Sequence, residues 1–166
     1  MSEIAFIEAF LREIQPYVRE KYADRSGVAV SSKDDHTDLL TEVDLSIQKR
    51  FVEQAADRFP GDLIVGEEGE YARYPEDPEA RAWLIDPIDG TYNFVRGLFP
   101  VFGVSIAFAR GNTAVAGGVL LPITGDLFLA EQGGGAHRNT QRIRVSNIRR
   151  LEGACLDVDF SGPHER

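Results

Sequence analysis

The chain has 166 residues, 43% hydrophobic and 27% charged, with a net charge of −9 and one cysteine. That length suits one domain with its own core and is short for two. The acidic balance disfavours a nonspecific nucleic-acid binder, the lone Cys155 excludes an internal disulfide or a thiolate metal site, and no apolar run is long enough to span a membrane.

In chain order, Ile4, Ile7, Leu11, Ile14 and Val18 recur at three- and four-residue spacing and predict a helix over residues 3 to 22, which Pro16 can kink. A short strand around Val28 to Val30 leads into the polar loop KDDHTDLLTEVD, residues 33 to 44. Val43, Ile47, Phe51 and Ala55 then step by four along a second helix, which Pro60-Gly61 stops. DLIVG (62–66) and AWLID (82–86) read as strands. VSIAFA, TAVAGGVLL and DLFLA read as antiparallel strands joined by hairpins, the first through Gly111-Asn112, and GACLDVDF reads as a last strand. Trp83, Phe94, Phe99 and Phe102 are expected in the core, and Cys155 is expected to be a small buried hydrophobe. Two helices followed by a run of strands predict an α+β fold, a helix pair packed on a largely antiparallel sheet, as a single domain over 1–166.

The acids cluster in the middle of the chain. Glu67 and Glu68 follow the strand DLIVG, and Asp86 and Asp89 stand in DPIDG at the end of the next one. Asp-Pro and Asp-Gly are also ordinary turn dipeptides. Two carboxylates about 4 Å apart repel by roughly 4 kcal/mol at an effective dielectric near 20, so gathering several requires raised pKa values or bound cations. An all-oxygen donor set, with His36, His137 and His164 scattered outside it, suits Mg²⁺ rather than zinc or copper, and DPIDG lacks the ligand spacing of an EF-hand. On this reading the turn aims Asp86, Asp89 and the Ile88 carbonyl at a metal pair, while the N–H groups of Gly90 and Thr91 open a short helix facing a phosphate. That arrangement suits phosphomonoester hydrolysis by activated water.

Three motifs in this order, Lys33 to Asp44 as K-x4-D-x2-T-x2-D, GEE at 66–68 and DPIDGTxNF at 86–94, resemble the inositol monophosphatase superfamily. The resemblance implies a Mg²⁺-dependent, lithium-sensitive phosphatase of small sugar or polyol phosphates, built on the N-terminal half of an αβαβα fold. It implies Glu67, Asp86, the Ile88 carbonyl and Asp89 as metal ligands. It also implies Thr91 with Glu67 orienting the water, Asp44 in the proton relay, and Gly90 and Thr91, with Asp89 beside them, at the phosphate. Tyr92-Asn93-Phe94 is closest to the inositol and archaeal-type fructose bisphosphate branches. Histidinol phosphate, fructose 1,6-bisphosphate and bisphosphonucleotides are the alternative substrates. Neither a nucleic acid nor a membrane is an expected partner; a homodimer in the cytoplasm is expected.

Each assignment has a plainer competitor. Asp44, three residues after Thr41, fits a capping box, and the two roles can coexist. Lys33 and His36 can be simple loop residues, and Glu68 either supports the site or is solvated. The run Arg138, Arg142, Arg144, Arg149, Arg150 reads as a wet strand edge or a partner-facing loop. The family's second-half WDxAAG motif is missing from the chain, so it is expected to be an N-terminal portion. A noncatalytic metal-binding or dimerising module is the reading from a different class.

Overall fold

The computed structural model describes residues 1–32, 39–68, 77, 79–97 and 99–156. Helix α1 (Glu3–Ala23) starts where the Ser2 hydroxyl accepts the Ala5 N–H, and it buries Phe6, Ile7, Phe10, Leu11, Ile14 and Val18. It runs through Pro16, which lacks the N–H that would bond back one turn. A 3₁₀ turn at Arg25–Gly27, closed by the Val28 N–H on the Arg25 carbonyl, delays the first strand, so β1 is Val30–Ser32 rather than 28–30.

The segment expected to be a loop holds β2 (Leu39–Thr41), paired antiparallel with β1 in a separate two-stranded ribbon. Helix α2 (Glu42–Arg58) follows at once and buries Val43, Ile47, Phe51 and Ala55, the four-step residues, against the sheet.

Among the described residues the main sheet has seven strands in chain order: β3 (Leu63–Gly66), β4 (Arg81–Asp89), β5 (Gly103–Arg110), β6 (Thr113–Leu121), β7 (Asp126–Glu131), β8 (Gly135–Arg138) and β9 (Gln141–Ile143). Among the described strands only the β3–β4 pair is parallel, so the sheet is largely antiparallel and the α+β expectation holds. Hairpin β8–β9 went unforeseen because its short strands lack apolar alternation, and it makes the basic run partly a wet strand edge. Trp83 is the hub of the core, its ring centroid 5.2 Å from Phe6, 4.8 Å from Phe59 and 4.7 Å from Phe108. Its indole N–H donates to Asp62, whose carboxylate also takes the Arg81 guanidinium.

Three expectations fail. Phe99 is 65% exposed, unlike Phe94 and Phe102, and Cys155 is exposed. Of GACLDVDF, Gly153 lies in a turn where the Ala154 N–H meets the Leu151 carbonyl, residues 154–156 are not strand, and the remainder lies outside the described residues.

Candidate active site

The parallel pair β3–β4 sets the site. Gly66 is level with Ile85, and the Glu67 N–H donates to the Ile85 carbonyl at 3.1 Å, so Glu67 and Asp86 emerge side by side where the parallel pairing ends, while β4 itself runs on to Asp89. In an unbroken strand Asp86 and Asp89, three apart, would face opposite sides. The register against β5 runs Asp86 to Ser105 and then Asp89 to Gly103, so one extra residue is inserted on β4 and both aspartates return to the same side. Pro87, which has no N–H to offer the ladder, stands within that bulge.

Helix α3 (Thr91–Arg96) opens directly after it. Its cap, Gly90, has φ +88, a left-handed conformation that favours glycine, and a Cβ there would lie 3.1 Å from the Val101 carbonyl oxygen. The Thr91 hydroxyl donates to the Ile88 carbonyl at 2.8 Å and lies 3.4 Å from Asp44 Oδ1.

Asp44 reaches this point from the start of α2. It is fully buried, and it closes a capping box in which the Thr41 N–H and hydroxyl both donate to its Oδ2. One carboxylate oxygen serves the cap and the other faces the Thr91 hydroxyl. Burial pushes its pKa up from 3.8 to about 6, against the pull of the Thr41 hydrogen bonds, and the charge of Glu68 adds to the rise. Burial pushes Asp86 further, to about 8, reinforced by Glu67 and then by Asp89 and Asp44. Asp86 Oδ1 is buried and meets no hydrogen-bond donor among the described residues.

A buried carboxylate oxygen without a donor, in a field of three other acids, is the environment a hard divalent cation satisfies, and the donors present fit one. The acids share one electrostatic neighbourhood without closing a shell: among the described residues no three His, Cys, Asp or Glu side chains converge tightly enough to hold an ion. Glu68 is buried, 4% exposed, rather than solvated. Lys33 and His36 lie outside the described residues. One polar residue went unnoticed in the sequence: Gln48, 5% exposed, which holds the backbone of Glu68. Its position one turn after Asp44, beside the apolar stripe of α2, was the available signal.

Residues 2–166 match the model of the inositol monophosphatase family. The chain is 38% identical over 138 residues to the fructose-1,6-bisphosphatase/inositol-1-monophosphatase of Thermotoga maritima, covering 80% of this chain and 51% of that protein. It is 44% identical over 124 residues to the Nus factor SuhB of Vibrio cholerae, covering 74% and 45%. A solved IMPase/NADP phosphatase, complexed with Mg²⁺ and phosphate, superposes with a TM-score of 0.72 at 26% identity, over 83% of this chain and 51% of that one. The chain thus spans about half the length of these relatives.

Proposed function

The chain belongs to the inositol monophosphatase family, and from that premise we propose that it carries the cation-binding half of a Mg²⁺-dependent phosphomonoesterase acting on a small sugar or polyol phosphate such as myo-inositol monophosphate. The observation that carries the reading is Asp86, whose buried Oδ1 lacks a donor among the described residues beside Glu67 at the end of a parallel strand pair. Support also comes from the Mg²⁺ and phosphate held by the similar solved phosphatase.

Glu67, Asp86, the Ile88 carbonyl and Asp89 would hold the metal. When bound, Mg²⁺ supplies charge neutralisation for the phosphate and acidifies water. The chain's own residues do the rest. The N–H groups of Gly90 and Thr91, at the start of α3, hold phosphate oxygens close to a backbone without side-chain bulk at Gly90. Glu67 and the Thr91 hydroxyl orient the attacking water toward phosphorus. The attacking water gives a proton to the Thr91 hydroxyl, which passes its own to Asp44 Oδ1, 3.4 Å away.

The test joins this chain to a polypeptide supplying a relative's remaining half and measures phosphate release from inositol, histidinol, fructose 1,6-bisphosphate and nucleotide substrates. Preference for inositol monophosphate, lost in Asp89→Asn with the fold retained, supports the proposal. Turnover surviving Asp89→Asn removes that residue from the ligand set and returns it to a turn role. A second, noncatalytic reading draws on one observation: a relative at 44% identity is a Nus factor. Folded halves that associate and bind Mg²⁺ yet release no phosphate would favour it.

A further inference from the structure

Helix α2 sends two polar side chains into the interior one turn apart, Asp44 and Gln48, 0% and 5% exposed. Asp44 has its use above. Gln48 meets the backbone of a single residue twice: the Glu68 N–H donates to Gln48 Oε1 at 3.1 Å, and Gln48 Nε2 donates to the Glu68 carbonyl at 2.7 Å. The geometry has a reason in the sheet. β3 is an edge strand, and its extension past Gly66 presents N–H groups alternately to either side. Glu67 donates inward to Ile85 on β4, so Glu68 turns its polar groups to the open edge, where no strand lies among the described residues. A carboxamide offers one acceptor and one donor in a plane, the pair a neighbouring strand would present. Gly66 completes the fit, because a Cβ there would lie 2.3 Å from Gln48 Oε1 and 2.5 Å from its Cδ.

We infer that Gln48 is a positioning residue: it stands in for a neighbouring strand, grips both backbone polar groups of the residue after Glu67, and ties that stretch to the helix that carries Asp44. The inference rests on the metal-centre reading proposed above. A residue that fixes a ligand's backbone acts on affinity, whereas a residue that merely fills space acts on stability alone.

Gln48→Met keeps side-chain length and helix preference and removes both hydrogen bonds. Gly66→Ala leaves Gln48 intact and displaces its carboxamide. Mg²⁺ binding by calorimetry, at a temperature well below every melting midpoint, is measured on the whole chain and both variants alongside the midpoints without Mg²⁺. The expected result is Mg²⁺ binding by the unaltered chain and affinity lower in both variants by on the order of 10- to 100-fold. Lowered midpoints with unchanged affinity would make Gln48 a structural residue and overturn the inference. An unaltered chain that binds no Mg²⁺ overturns the metal-centre reading, and this inference with it. If the variants do not fold, amide hydrogen exchange in the unaltered chain decides: a Glu68 N–H as protected as those of β4 supports the clasp, and one exchanging like an exposed turn overturns it.

Discussion

At the scale of single residues, the fold makes two of the clustered carboxylates reluctant to ionise. Asp44 and Asp86 have folded pKa values of about 6 and about 8 against an ordinary 3.8. Between the ordinary and the raised values the folded chain binds more protons than the unfolded one, so stability falls as pH rises through that window. Without Mg²⁺, raising the pH from about 5 to about 8 should cost roughly 1.4 kcal/mol from Asp44 alone, and saturating Mg²⁺ should remove the dependence. Urea denaturation at several pH values checks this, and a metal-free chain that gains stability over the same range would contradict it. Glu3 and Asp126 behave oppositely but lower down. Backbone hydrogen bonding, then Arg81 and Arg110, hold Glu3 below its ordinary range, and Arg138 does so for Asp126, so their contribution is lost only in stronger acid. Thr91→Ala removes the hydroxyl between Ile88 and Asp44 and keeps the amide. In the complete enzyme kcat should fall on the order of 10² to 10⁴ fold with little change in Mg²⁺ affinity. Unchanged kcat with a lower melting midpoint would leave Thr91 as a helix-start residue.

At the scale of elements, each helix is held by a local signal and a long-range fit. The apolar stripes of α1 and α2 are visible in the sequence because 3.6-residue periodicity is local, and so is the Thr41 to Asp44 capping pair. The close approach of α1 to the sheet is not visible. It depends on Gly118 of β6, where a Cβ would lie 2.6 Å from Ile7 and 2.8 Å from Leu11. Gly118→Ala should therefore destabilise by about 1–3 kcal/mol, because the packed side chains of Ile7, Leu11 and Leu129 must shift to admit one methyl group. The urea midpoint should fall with an unchanged slope, whereas a stabilised variant would mean α1 yields without cost. The bulge in β4 belongs to the same class of hidden feature: DPIDG announces a turn, but only its register against β5 turns Asp86 and Asp89 to one side.

At the scale of the whole molecule, both helices of the core cover one face of the main sheet, and the other face is a concave apolar surface of about 610 Å³ that includes Leu84, Ala107, Val119 and Phe128 and ends at Glu67 and Asp86. An apolar face on a chain of net charge −9 sets attraction against repulsion. Screening should tip the balance, so sedimentation at about 0.5 M salt should show more dimer than at about 0.05 M. A chain monomeric at both would remove this face from the expected homodimer. The sequence by itself determined the α+β class, the two helices, most strands and the identity of the acidic motifs, because periodicity, caps and motif order are properties of neighbours along the chain. It could not place β8 and β9, whose short polar strands exist only by pairing, nor the exposure of Cys155 and Phe99, which depends on what lies across from them. Above all, it could not show that Gln48 completes the edge of β3 or that Asp86 is buried without a donor among the described residues. Those facts arise from segments dozens of residues apart meeting in space, which only the tertiary structure decided.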